Sequence, residues 1–323
     1  MATIAGGFLR GKARTARILA AFAIVAACGI SSGSHRRDAI DHAILGQRPG
    51  YSRASISSVP NLAAANRLIW MPGLDQGWDP QGLAVARGSL FVSGYRSLGT
   101  WQNRGPCRVF RVDPESGKET GHFDVPLPCG HAGGLAYAGA GRLFIADTHA
   151  LFEVDLGRAF SGAAPKFRIF PLGPGLKGAF AVSDDGAIWI GDYEETRPAK
   201  AFKFDLAALR SLPYGVVLSA AMAAAVVPLP SWAQGGAVDG KGRLWVSRSD
   251  IGWGFLDRLD PATGRLDQRY PIAVGTEGIA FDRDGQLWAV SEAGARHMPW
   301  HYPFFPLIFR LDPTRLRPAA AAD

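Results

Sequence analysis

The sequence is short of the residues that announce chemistry. Three cysteines in 323 residues exclude a disulfide-rich scaffold, and none stand in a Cys-x-x-Cys pair of the kind that holds zinc or shuttles electrons. There is no G-x-S-x-G nucleophile elbow, no H-E-x-x-H and no Walker loop, so the serine-hydrolase, zincin and P-loop classes fall away. The apolar run at residues 18–27 is too short to cross a bilayer. Positive charge is in excess, with a formal net of +7, but residues 1–66 hold eight basic and two acidic side chains. The rest of the chain is close to neutral, and no nucleic-acid partner is expected of it.

That basic leader has an order of its own. Arg10, Lys12, Arg14 and Arg17 precede the apolar run, which ends Val25-Ala26-Ala27-Cys28. A charged start, a short apolar core and small residues before a cut describe a signal peptide over residues 1–27. The ending resembles the bacterial lipobox, in which Cys28 is lipidated and becomes the new N-terminus. The alternative is an ordinary secretory cut with Cys28 incidental. The expected location is the bacterial cell envelope, lipid-anchored to the membrane, or else periplasmic or secreted. Residues 28–66, rich in Ser, Arg, Gly and Pro, read as a flexible tether.

The remainder repeats. Five hairpins align on Ala84, Ala136, Ala181, Ala237 and Ala280, at intervals of roughly 43–56 residues. In each, a short apolar strand, a Gly-containing turn and a second strand are followed by a third strand ending in an aspartate. Those aspartates are Asp113, Asp155, Asp205, Asp260 and Asp312. A meander of this kind cannot bury both faces alone and needs copies as neighbours, which is the logic of a β-propeller. The last repeat lacks an outer strand, while one orphan strand near Ile69 precedes the first. The expectation is an all-β, five-bladed β-propeller over residues 67–315, closed by that N-terminal strand beside Ile308, with a disordered tail at 316–323. Six blades are the alternative.

Loops that enter the innermost strands share one face with loops that leave the second strands. Gln81, Gln234 and Glu277 stand three residues before their register alanines. Asp79 and His131 precede that position in blades one and two. Tyr95, Asp147, Asp192, Tyr193 and Glu292 close second strands. All should ring one channel mouth, where they could bind a small polar ligand or an envelope protein, or merely line a water-filled channel and cap strand ends. His131 is the candidate base. The insertion at residues 293–303 places Trp300 and His301 at the mouth, as recognition residues or as rim packing. Cys107 and Cys129 should meet at one end of blade one, as a disulfide or as two buried thiols. A second insertion, at residues 206–232, should emerge on the opposite face.

The repeats PQGLAV…LFVSGY and TEGIAFDRDGQLWAVSEA resemble the NHL and SMP-30/gluconolactonase-like propellers. The gluconolactonase-like branch implies a lactone or ester hydrolase with one divalent metal (Ca, Zn or Mn) at the channel mouth. By that resemblance Glu277 and Asp192, with Asp147, would be the carboxylate ligands. The branch is six-bladed and also uses an asparagine, and the asparagines of this chain are Asn61, Asn66 and Asn103, none on a channel strand. The NHL branch implies a binding or assembly module.

The leader yields the first prediction. Wild-type protein expressed in a bacterium should partition into the detergent phase, and Cys28→Ser should move it to the soluble fraction; equal partitioning would leave the secretory alternative.

Overall fold

The computed structural model describes residues 44–96, 105–298 and 303–320. Blade one comprises β2 (Trp78–Ala86), β3 (Ser89–Arg96), β4 (Cys107–Val112) and β5 (Glu119–Val125). Blade two comprises β6 (Gly134–Tyr137), β7 (Arg142–Asp147), β8 (Ala150–Asp155) and β9 (Phe167–Pro171). Blade three holds β10 (Phe180–Asp184), β11 (Ala187–Gly191), β12 (Ala199–Asp205) and β13 (Ala225–Leu229). Blade four holds β14 (Ala233–Val238), β15 (Leu244–Asp250), β16 (Trp253–Leu259) and β17 (Leu266–Pro271). Blade five has β18 (Thr276–Phe281), β19 (Leu287–Ser291) and β20 (Leu307–Leu311), and its outer strand is β1 (Ala65–Trp70). β1 runs antiparallel to β20 with Ile69 opposite Ile308, so the ring of five is closed as the sequence indicates.

Five apolar clusters fill the five seams between neighbouring blades. Three blades share a device at the inner hairpin. The turn aspartates Asp184, Asp239 and Asp282 accept the indole N–H of Trp189, Trp245 and Trp288, at 3.4, 2.8 and 3.0 Å. Each indole also carries a cation from the next strand: Lys203, Arg258 or Arg310, at 5.0, 5.8 and 5.8 Å from the ring centroid. The rings bridge blades: Trp245 meets Phe281 of blade five edge-on at 5.7 Å. A buried indole with its N–H satisfied brings a large apolar area to the seam at little polar cost. The third-strand aspartates act by the same economy. Asp113, Asp155, Asp205, Asp260 and Asp312 each accept backbone N–H groups two or three residues ahead, turning the chain out of the strand.

The inner strands approach closely at the axis. A Cβ on Gly134 would lie 2.2 Å from the backbone nitrogen of Ala181, and one on Gly278 2.3 Å from that of Leu83. Glycine at these points lets five inner strands share so narrow a ring.

Three segments differ from the sequence reading. Residues 44–66, expected as free tether, lie on the propeller where described. Leu45 forms a parallel bridge to Ile69, Asp75 accepts the Gly50 and Tyr51 amides, and Asn61 bonds the Pro271 carbonyl. The reason is apolar: Ile44, Ile56, Val59 and Leu62 pack on the blade-five cluster. Residues 316–320 of the expected loose tail are tied down as well, Arg317 N–H to Asn61 and Ala319 N–H to the Arg269 carbonyl. The insertion at 206–232 begins on the expected face with a short helix, α1 (Leu206–Ser211). It then climbs the rim. Buried Leu218 pairs with Leu172 and covers the open edge of blade two before the chain enters β13, a protection that exposed strand edges need. Among the described residues no helix is long and apolar enough to cross a membrane.

Closure gives the second prediction. Ile69 is fully buried, so Ile69→Ala should cost about 2–5 kcal/mol in denaturant unfolding. Val226→Ala, on an exposed face of β13, should stay within about 0.5 kcal/mol.

Candidate functional site

The channel mouth is built at the seam where blade five meets blade one. Glu277 enters it from the start of β18, and the Ser247 hydroxyl bonds the Glu277 carbonyl, fixing its backbone to blade four. Glu292 follows the end of β19 and accepts from the Gln81 side-chain amide at 3.0 Å. Asp79 and Gln81 come from β2, Tyr95 from β3. The ring of His131 stacks on Tyr95 with centroids 5.0 Å apart. All four of Asp79, Gln81, Glu277 and Glu292 are buried.

Burial of so many acids in one place has an electrostatic result. Ionising a carboxyl away from water is costly, and a second carboxylate nearby adds to the cost. Burial pushes Glu277 well above the usual carboxyl range, and the Glu292 charge adds to it. Burial and the Asp79 charge lift Glu292 to about 8, with the Gln81 amide opposing. Asp79 rises to about 6, burial again outweighing the attraction of His297. Burial, followed by the charges of Glu292, Asp79 and Glu277, pushes the Tyr95 phenol up, and burial, followed by Glu195 and then Glu277, does the same to Tyr193. At neutral pH this cluster holds protons.

Asp79 is fully buried, and His297 Nδ1 lies 3.3 Å from its Oδ2, the contact that opposes the effect of burial. His297 belongs to the insertion that follows Glu292. Tyr51 holds that segment by donating to the Gly294 carbonyl at 2.6 Å, and Arg296 donates to the Asp75 carbonyl.

Asp147 and Asp192 have other work. Asp147 Oδ1 accepts the backbone N–H groups of Gly130, His131 and Ala132, at 3.0, 2.7 and 2.9 Å. It shapes the loop that presents His131. Asp192 accepts the Lys200 amide. The two stand at one repeat position, three residues past Phe144 and Trp189, whereas Tyr95, Tyr193 and Glu292 stand four past Phe91, Trp189 and Trp288. Consecutive strand residues point to opposite sides, which separates the capping aspartates from the mouth groups. Glu277, Asp192 and Asp147 therefore do not gather as a metal centre. The one three-donor group among the described residues is Cys107, Cys129 and Asp147, and its sulfurs are spent on each other in the Cys107–Cys129 disulfide, with Cα atoms 6.0 Å apart. The donor set does not fit the divalent ion, and no step is derived through one.

Of the remaining expected residues, Gln81, Tyr95, His131 and Glu277 meet at the mouth, and Gln234 stands half-buried at the matching place on β14. Trp300, His301 and Cys28 lie outside the described residues. Tyr51 was beyond sequence reasoning, because nothing local distinguishes it from its polar surroundings. The aromatic wall on the far side was legible only in part. Tyr193 meets Trp232 edge-on at 5.9 Å, and Trp232 meets Trp253 at 6.1 Å; Trp232 sits in a linker with no repeat position to flag it. The cations near that wall are engaged. Arg248 bonds buried Asp257 and the Ser231 carbonyl, and Lys177 and Arg197 pair with Glu194.

Fold and site together define the class: a five-bladed β-propeller with a carboxyl-lined channel mouth. Among solved structures the chain is similar to Myxococcus xanthus glutaminyl cyclase, at TM-score 0.52 and 16% identity over 79% of this chain and 96% of that one. It is also similar to regucalcin from Agrobacterium tumefaciens, a calcium-binding protein, at TM-score 0.41 and 17% identity over 74% and 92% of the two chains. At such identities the likeness concerns the fold. No protein-family model matches the sequence, and no curated protein matches it.

The third prediction concerns pH. A carboxyl with a raised folded pKa keeps its proton in the folded state and loses it in the unfolded one, so stability falls as pH climbs between the two pKa values. For Glu292 that window runs from its ordinary value of 4.5 to about 8. Glu292→Gln should remove this loss. Its stability relative to wild type should rise by about 1.4 kcal/mol per pH unit inside the window, read from urea unfolding at pH 5, 6, 7 and 8. A constant difference across that range would show that Glu292 does not titrate as stated.

Proposed function

We propose that this protein is a cell-envelope propeller, anchored through Cys28, that binds a small polar ligand at its channel mouth. The observation that carries the reading is the pair of buried carboxyls, Glu277 and Glu292, placed side by side where blades five and one meet. A folded protein keeps such a pair at a cost in stability. The cost is offset when a ligand answers the buried Glu277 carboxyl, and desolvated polar groups in a concave site are a hallmark of binding. An envelope protein bound through the same mouth is the macromolecular form of this reading.

A second reading is favoured by the protons the pair holds. Between about pH 6 and about pH 8 Asp79 is ionised beside a protonated Glu292, the arrangement that acyl transfer needs without a metal. The ionised member takes a proton from the attacking water or amine as the new bond to the carbonyl carbon forms. The protonated member gives its proton to the departing oxygen or nitrogen as the old acyl bond breaks. Lactone or ester hydrolysis fits this scheme. So does ring closure of an N-terminal glutamine with loss of ammonia, the reaction named by the Myxococcus xanthus structure.

The test is a thermal-shift screen of polar metabolites against the purified protein, followed by turnover assays with lactones, aryl esters and glutaminyl peptides. Stabilising compounds should lose their effect in Glu277→Gln and in Glu292→Gln. Hits that persist in both variants would remove the mouth as the site. Absence of acid or ammonia release from all three substrate classes would end the second reading and leave the first.

A further inference from the structure

Three residues before each register alanine the blades carry Gln81, Gly133, Gly178, Gln234 and Glu277. Blade two has a glycine where blades one, four and five have a polar side chain. Its place is filled from the preceding loop. Cδ2 of His131 lies 3.2 Å from the point where a Cβ on Gly133 would stand. The imidazole also stacks on Tyr95, with ring centroids 5.0 Å apart, and Tyr95 is the strand partner of Asp79. The loop thus brings to blade two's corner of the mouth the polar group that its inner strand lacks.

That loop is fixed beyond what a connection needs. Asp147 Oδ1 takes the amides of Gly130, His131 and Ala132. The Ser93 hydroxyl accepts the Gly82 amide at 2.9 Å and donates to the Ala132 carbonyl at 2.7 Å. The Gly105 amide donates to the Gly130 carbonyl at 3.1 Å. Cys129 is bonded to Cys107, which stands opposite Tyr95 in the β3–β4 pairing. The disulfide and the imidazole stack therefore join the same pair of strands to the same loop. Ala132 is held at φ 52°, a left-handed backbone that costs a residue with a Cβ energy and persists only where the surroundings over-determine it. Capping of a strand end accounts for Asp147 alone. Asp147, Ser93, the disulfide and the strained Ala132 together describe a loop built to hold one side chain in one place.

We infer that Asp147, Ser93 and the Cys107–Cys129 disulfide are positioning residues for the His131 imidazole, and that the redox state of the disulfide decides whether the mouth holds an imidazole there. What the imidazole does for a bound molecule rests on the mouth being the ligand site proposed above; where it stands does not. The coupling runs through Asp147. Cys129 Sγ lies 3.5 Å from Asp147 Oδ1, and in the disulfide that sulfur carries no proton. A dithiol that reduces the bridge supplies two electrons and two protons. The S–S bond breaks, two thiols form, and the dithiol leaves as its own disulfide. The Cys129 S–H is then a fourth donor at an oxygen that already takes three amides, and the covalent tie to β4 is gone. The strain at Ala132 is relieved as the loop turns outward, and the ring leaves Tyr95.

Full-length protein in detergent, carrying carbon-13 at histidine Cε1, tests this by proton–carbon NMR, with His131→Asn identifying the signal. In the oxidised protein, stacking on Tyr95 should displace the His131 signal from its position in the urea-unfolded chain. Dithiothreitol, applied in urea below the unfolding transition and then removed with it, should abolish the displacement, and reoxidation should restore it. Alkylation and peptide mass confirm that Cys107 and Cys129 are free in the reduced sample, and thermal unfolding confirms that each species is folded. Asp147→Ala and the double variant Cys107→Ala/Cys129→Ala should lose the displacement. Asp147→Asn, whose amide oxygen accepts the same backbone N–H groups, should keep it. Where Asp147→Ala does not fold, reduction and reoxidation of the wild type decide. A signal that stays displaced in the folded, reduced protein overturns the redox device. One that stays displaced in Asp147→Ala and in the double cysteine variant overturns the positioning roles. A signal that already matches the unfolded chain in the oxidised protein overturns the inference whole. A metabolite screen without hits counts against the proposed function and leaves the His131 signal to decide this inference.

Discussion

The pairing of β1 with β20 is the contact on which the molecule depends. Every blade carries an apolar surface on both faces, and each face is hidden by the next blade around the ring. A ring of this kind is only as stable as its weakest seam, because opening one seam exposes two faces at once. Residues from opposite ends of the chain hold the closing blade together, Ile69 beside Ile308. The segment before β1 adds to the closure. Leu45 extends the sheet at Ile69, and Asn61 ties the N-terminal stretch to residues 271 and 317. What looks in composition like a spacer does part of the work of a clasp.

The same seam carries the acids. Glu277 and Glu292 belong to the closing blade, and Asp79 and Gln81 belong to the next one. The cost of burying them works against closure, and it is tolerated because five apolar seams and a shared strand hold the ring. Gln81 relieves part of it by donating to Glu292, and His297 part by standing next to Asp79. Asp79, Gln81 and Glu277 sit on inner strands, which run so close at the axis that Gly134 and Gly278 leave no room for a Cβ. A preformed, desolvated site of this sort loses little entropy when it takes a ligand.

Aspartate serves three purposes in this chain, and the repeat position separates them. After third strands it caps the next turn. In the inner hairpin turns of blades three to five it receives a tryptophan N–H, and in blades three and five the neighbouring cation as well. At the ends of second strands, as Asp147 and Asp192, it gathers backbone amides. Only Asp79, outside all three patterns, joins the mouth. An acidic residue near a channel is thus weak evidence of a ligand, since local backbone donors compete for it.

Blade number, strand order and the closing partner of Ile69 were written in the sequence, because they follow from two-residue alternation, turn chemistry and a count of strands, all of them local properties. The disulfide between Cys107 and Cys129 was legible as one of two outcomes for the same reason. The choice of mouth residues was not. Glu277, Gln81, Tyr95 and His131 could be placed at the correct end, but Asp147 and Asp192 could be told from Glu292 only by a one-residue offset that turns a side chain from the channel to the backbone. Tyr51 and Trp232 carry no periodic mark at all. Distances between blades, and the loss of water that raises a carboxyl's pKa, arise only when strands remote in sequence are brought around one axis, so the tertiary structure alone decided which acids share a site.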